Sequence, residues 1–211
     1  DPKFILHSGD FVVNGRDRES WKKEFFDPLD GVISHVPLFA AYGNHEKDGV
    51  MLDFYFLPSS DELRYTFDYG NSHFTIVKNQ DEEGLAWLDK ELGAANATWK
   101  FVVHHYPCFN VGGKSVGKAR DTMPPILRKH KVDVTFAGDS HIYERLYPLV
   151  PLAEPKAHPI TYIVSGGGGA PKYGTGLSSV IAKTDNMPHF IVVKVKPESV
   201  TMDVRGVDDK L

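Results

Sequence analysis

One cysteine, Cys108, stands in 211 residues, so no internal disulfide framework exists and stability rests on a packed core. No apolar run reaches the ~18 residues that a membrane-spanning helix requires. Basic residues are in the minority, 24 Lys and Arg against 28 Asp and Glu. A net charge of −4 removes the bulk electrostatic case for a nucleic acid or an anionic membrane surface as partner. Internal repeats and low-complexity tracts are missing, which argues against a solenoid or a linker array. An initiator Met and a leader are missing too: the chain opens on Asp1-Pro2-Lys3 and is apolar by Phe4. The expectation is that the natural start lies upstream. What is plentiful excludes disorder, with 41% hydrophobic and 12% aromatic residues. At roughly 150 residues per domain, residues 1–211 read as one domain.

Short apolar strands alternate with polar punctuation. Phe4-Ile5-Leu6 runs into Ser8-Gly9-Asp10, and residues 37–42 into Gly43-Asn44-His45. Residues 99–103 end at His104-His105, and residues 132–137 end at Gly138-Asp139-Ser140-His141. A further strand at 160–164 ends in four glycines, 166–169. Residues 20–36 are helix-like but broken by Pro28 and Gly31. Residues 64–68 and 73–78 form a hairpin, as do 190–196 and 199–205 around Pro197-Glu198. Leu85, Leu88 and Leu92 stripe a helix over 81–95, and a second helix over 122–131 carries two prolines at its start. In open α/β sheets ligands bind outside the carboxyl ends of the strands, so the four polar clusters are expected to converge.

Asp10, Asn44 and Asp139 offer oxygen donors; His45, His104, His105 and His141 offer imidazoles. A mixed nitrogen and oxygen set suits Zn, Mn, Fe or Ni and argues against a thiolate site. Any one of these residues alone reads as a surface cap of a strand. Four clusters on four strand ends read as a metal site, because isolated Asp and His beside apolar strands are costly to bury.

Gly9-Asp10, Gly43-Asn44-His45-Glu46, His105-Tyr106-Pro107 and Gly138-Asp139-Ser140-His141 resemble, in order, the GD, GNH(D/E), H-x-P and GHxH blocks of the calcineurin-like metallophosphoesterases. His141-Ile142-Tyr143-Glu144-Arg145 looks like the HxYER run of the purple acid phosphatases within that superfamily, and the strand ending in Gly166 to Gly169 is similar to the glycine-rich one that follows it there. The resemblance runs from residue 4 to about residue 204. It implies an α/β fold, a four-layer α/β/β/α sandwich of the metallophosphoesterase type. It also implies a phosphomonoesterase acting on a small phosphoester with two divalent or trivalent metal ions, drawn from Mn, Fe, Zn or Mg. Asp10 would bridge the two metals, Asn44 and His105 would bind the second, and His141 the first. His45 would protonate the leaving oxygen or stabilise developing charge, oriented by Glu46. The same core serves phosphodiesterases, and a degenerate member would bind a phosphate ligand without turnover.

The sequence departs from the family pattern in three places. The opening D-x-H or D-x-G block, whose Asp binds the first metal, is absent, so the first strand is expected upstream of Asp1. Asp139 stands where the GHxH block has its first His. It either ligates the second metal as a harder, charged donor, favouring Mn, Mg or Ca, or stays out and leaves that metal weakly held. Val13 stands where purple acid phosphatases place the Tyr ligand of ferric iron, so no purple chromophore is expected.

Other polar residues have ordinary readings. His104 faces away from His105 and is structural; His7 is a buried, satisfied histidine. Glu144 and Arg145 read as an ion pair under a loop, with phosphate contact through Arg145 as the alternative. Gly112-Gly113-Lys114 with Lys118-Ala119-Arg120 reads as a flexible, solvated basic loop, with steering of an anionic substrate as the alternative. Cys108 is a partly buried bystander. Asn96-Ala97-Thr98 is a glycosylation sequon if the protein is secreted from a eukaryote. One cysteine fits cytoplasm, periplasm or exterior alike, and loops 16–19, 47–60 and 111–120 carry no readable specificity code.

Overall fold

Runs of β-branched and aromatic residues become strands because they fit a pleated, half-buried surface. The computed structural model describes residues 2–47, 50–56, 64–78, 81–114 and 116–207; the Asp1 start and part of the 47–60 loop lie outside the described residues. In chain order the strands are β1 (Ile5–His7), β2 (Leu38–Ala40), β3 (Tyr65–Tyr69), β4 (Ser72–Val77), β5 (Trp99–His104), β6 (Val134–Ala137), β7 (Tyr143–Leu146), β8 (Thr161–Ser165), β9 (Ile181–Asp185), β10 (His189–Lys196) and β11 (Ser199–Gly206). The helices are α1 (Arg18–Ser20), which continues as a π-helical turn at Trp21–Phe26, then α2 (Val50–Phe56), α3 (Glu82–Ala94) and α4 (Ala119–Lys129).

Seven strands pair in the order β3-β4-β5-β6-β8-β7-β9. β4, β5, β6 and β8 run parallel, whereas β3 and β7 pair antiparallel with their neighbours. Two smaller sheets stand beside it, β1 parallel to β2 and β10 antiparallel to β11. Alternation along β5 sorts the faces of the large sheet. Phe101 and Val103 join Phe74, Ile76 and Phe136 in a core shared with Leu6, Ile191, Val193 and Met202 of the small sheets. Val102 points the other way, under Leu88 and Leu92 of α3 and Met123 and Leu127 of α4. Beyond the β1–β2 pair, Phe11, Trp21, Phe25 and Leu52 bury Ala40 in a third core. The layers are therefore α/β/β/α. Phe39 of β2 stacks on Phe67 of β3 at 3.8 Å between centroids and ties the two sheet layers together, while Phe74 and Phe101 stack at 4.9 Å across neighbouring strands of the large sheet. Among the described residues no helix is long and apolar enough to cross a membrane.

Some elements differ from the sequence expectation. α4 begins at Ala119, so Pro124 and Pro125 lie inside it and not at its start. Each proline forgoes an internal hydrogen bond; full burial of Ala119 and Met123 in the α3–α4 core offsets that loss. In the 20–36 segment only the first turns are helical, because Pro28 lacks an N–H and Gly31 takes φ 79°. β7, β9 and α2 were not anticipated: each is short, and none carries a clear apolar period.

Candidate metal centre

Asp10, Asn44, His105 and Asp139 each follow the carboxyl end of a strand: β1, β2, β5 and β6 respectively. The strand ends can meet because glycines remove the side chains between them. Gly9, at φ 90°, lies so close to Gly43 that a Cβ on it would sit 2.6 Å from the Gly43 nitrogen. Gly138 donates its N–H to the His105 carbonyl at 2.9 Å. Asp10 and Asp139 themselves hold φ 57° and 58°, the left-handed region that non-glycine residues seldom enter. Such backbone strain gathers at functional sites.

The ligand atoms of Asp10, His105 and Asp139 all lie within 4.8 Å of one another. His105 Nε2 is 3.3 Å from Asp10 Oδ2, 3.7 Å from Asp139 Oδ1 and 3.2 Å from Asn44 Oδ1. His105 Nδ1 lies 2.8 Å from the Ser8 carbonyl. A carbonyl only accepts, so Nδ1 carries the proton and Nε2 is the nitrogen turned to the oxygens. His45 and His141 repeat the device, with Nδ1 2.7 Å from the carbonyls of Val13 and Pro171 respectively. One imidazole nitrogen held by a backbone carbonyl, facing three side-chain oxygens, is a donor set that fits Zn, Mn or Fe.

The family model for calcineurin-like phosphoesterases matches residues 1–143. The chain belongs to the calcineurin-like phosphoesterase family. It is 29% identical over 175 residues to purple acid phosphatase 23 of Arabidopsis thaliana, covering 72% of this chain and 37% of that protein. The chain thus spans well under half the length of that curated relative. Its fold matches a purple acid phosphatase from yellow lupin (Lupinus luteus) seeds with a TM-score of 0.86 at 21% identity, over 99% of this chain and 45% of that one. It also matches GAP50, described as the anchor in the inner membrane complex of Plasmodium, with a TM-score of 0.77 at 17% identity, over 99% of this chain and 76% of that one.

Within this phosphoesterase fold the remaining residues singled out by the sequence take distinct places. The His45 backbone N–H donates to Asp10 Oδ1 at 2.8 Å, and the half-exposed ring brings Nε2 within 4.0 Å of Asp10 Oδ2. His141 stands outside the Asp10–His105–Asp139 group, its ring stacked on Tyr173 at 4.3 Å. Glu46 requires a correction. Expected to orient His45, its buried carboxylate instead accepts backbone N–H groups from Asp10 (2.8 Å), Phe11 (2.8 Å) and Gly43 (2.6 Å). It positions the Asp10 loop, and the Val13 carbonyl orients His45. His104 is buried with Nδ1 2.8 Å from the Tyr106 carbonyl, and His7 stacks on Phe11 at 3.7 Å.

Burial opposes charge on both Asp10 and His105, yet their pairing wins. Asp10 is held below the usual carboxylate range and His105 above the usual imidazole one. Burial pushes Glu46 up despite its three donors, and pushes His7 and His104 down to about 4.

Lys114, which the sequence placed in a basic loop, lies against the centre. Its Nζ lies 2.7 Å from Asp139 Oδ1, the same oxygen that faces His105. The loop that carries it is built, not loose. Glu144 does not pair with Arg145 as expected; its buried carboxylate accepts the N–H groups of Val111 (2.9 Å) and Gly112 (3.1 Å). Buried Ser140 Oγ accepts from Asn110 Nδ2 at 2.5 Å and from the Lys114 N–H at 3.1 Å. No spacing in the sequence signals this meeting, because it depends on Glu144, Ser140 and Asn110 folding back on the loop.

Proposed function

We propose that this chain is the catalytic part of a metal-dependent phosphoester hydrolase that acts on small phosphomonoesters. The observation that carries this reading is His105 Nε2 held toward the oxygens of Asp10, Asn44 and Asp139, with His45 beside Asp10 on the open side. A bound Mn, Fe, Zn or Mg ion would polarise the phosphoryl oxygens and lower the pKa of a water there. Asp10, Asn44 and His105 would hold it, while the Ser8 carbonyl keeps His105 in the ligating tautomer. His45 has Nδ1 tied to the Val13 carbonyl, leaving Nε2 to pass a proton to the leaving oxygen. The two-metal arrangement that the resemblance implies also draws on Asp139 and His141; here Asp139 is already paired with Lys114.

Hydrolysis of an aryl phosphate tests the reading directly. The metal-supplemented protein should cleave the monoester faster than the matching diester, and His45→Ala should lower kcat by about 10²-fold or more. An unchanged rate in that variant removes His45 from the reaction, and preference for the diester makes the protein a phosphodiesterase. A second reading, a domain that binds phosphate ligands without turnover, is favoured by the Lys114–Asp139 pair. It predicts phosphate binding with no hydrolysis at any metal tested.

A further inference from the structure

Arg145 faces the layer between the large sheet and the small ones without an acid to meet it. Tyr143 of β7 lies in the core shared with the small sheets, and Arg145, two residues on, shares that face. The register pairs Arg145 with Lys183 of β9, so two cations stand directly opposite each other on neighbouring strands. Like charges so placed destabilise a ladder. The acids nearby are engaged elsewhere. Glu144 holds the N–H groups of Val111 and Gly112. Asp133 takes His158 Nε2 at 3.1 Å and the Lys100 N–H at 2.8 Å, and Asp203 pairs with Arg205 at 2.8 Å. Among the described residues, the half-buried Arg145 has a neutral partner, the Tyr143 hydroxyl.

Both cations line a cavity of about 680 Å³ between the large sheet and the β10–β11 hairpin. Val134, Tyr143, Val200, Met202 and Val204 give it an apolar wall. Trp99 and Thr161, the first residues of β5 and β8, also line it, so it opens at the amino ends of the parallel strands. The metal centre is at their carboxyl ends, which makes this a separate site. An apolar cavity of this size with a few convergent polar groups is the form that small-molecule sites take. A guanidinium beside an ammonium supplies charge-assisted donors to an anion, the guanidinium in a planar fork that matches a carboxylate. Asp133 and Asp203 also reach the cavity wall, so a singly charged head group is favoured over a dianion.

We propose that this cavity binds a small amphipathic carboxylate, its head between Arg145 and Lys183 and its apolar body along Val200 and Met202. Binding would relieve the repulsion between the paired strands and cover apolar wall in one step. The site is independent of the metal centre and of the reaction proposed for it.

Calorimetric titration of the purified protein with octanoate tests this, with acetate as the head alone and 1-octanol as the body alone. One octanoate per chain is expected, with acetate and octanol each bound at least about 10-fold more weakly. Arg145→Met and Lys183→Met should each weaken octanoate by about 10-fold or more. Met202→Trp, which fills the cavity and keeps both cations, should abolish binding, and His105→Ala should bind as the wild type does. Circular dichroism checks the fold of each variant; Arg145→Met and Lys183→Met remove a repulsion and keep an apolar stem, so they test the proposal even if Met202→Trp does not fold. Absence of octanoate binding in the wild type, or undiminished binding in Arg145→Met, overturns the proposal. Octanol bound as tightly as octanoate reduces the cavity to an apolar groove, acetate bound as tightly reduces it to a surface charge pair, and either result overturns the proposal as well. Binding lost in His105→Ala assigns the carboxylate to the metal centre, which overturns the proposal and leaves the metal-centre reading standing.

Discussion

Glu46 and His104 show how much of the centre depends on residues that never face a substrate. The Glu46 carboxylate satisfies three backbone donors of the two loops that bring Asp10 and Gly43 together. Glu46→Gln keeps the shape, removes the charge and turns an NH₂ toward donors. It should cost about 2–3 kcal/mol in urea unfolding and weaken metal binding along with it. His104 stays neutral in the native protein down to about pH 4, while in the unfolded chain it takes a proton near 6.5. Between those values the unfolded state holds more protons, so stability falls as pH is lowered from about 6.5 to 4, by roughly 3 kcal/mol for this residue. Urea midpoints measured across that range should show the fall, and His104→Asn should remove this residue's share and leave that of His7, which burial depresses to the same degree. The donors at Asp10, Asn44, His105 and Asp139 were legible as residue types in glycine-flanked clusters. The jobs of Glu46 and Lys114 were not, since they depend on which backbone groups arrive from residues far away in the chain.

Elements make the site by ending in the right places. β1, β2, β5 and β6 were readable as apolar runs, and that sufficed to predict the convergence of their polar ends. β7 and β9 were not readable, because edge-side strands with mixed polarity take their structure from the ladder they join. The carboxyl ends converge only while the sheet layers stay packed, and Phe101 lies between them, 1% exposed and stacked on Phe74. Phe101→Ala should therefore destabilise the protein by about 3–5 kcal/mol in equilibrium unfolding. Gly9→Ala should be severe for a different reason. It demands φ 90° of a residue with a Cβ and drives that Cβ into the Gly43 backbone, so loss of metal binding should accompany lost stability.

At the scale of the molecule, the four layers place one open, polar face at the strand ends and surround it with three apolar cores. The fold class was legible because four ordered blocks in one chain resemble one superfamily. The balance of charge at the centre was not legible, because no spacing in the sequence announces that Lys114 will meet Asp139. The overall charge of −4 reads differently once Asp10 is seen to face His105, and Asp139 the Lys114 ammonium, and not solvent. The most direct measurement of the central claim is the metal content of the protein after incubation with Mn²⁺ or Zn²⁺ and removal of free ion, for the wild type and His105→Ala. Retained metal in the wild type, with affinity lowered more than about 100-fold in the variant, is the predicted result. A wild type that stays metal-free, or a variant that retains as much metal as the wild type, would contradict it.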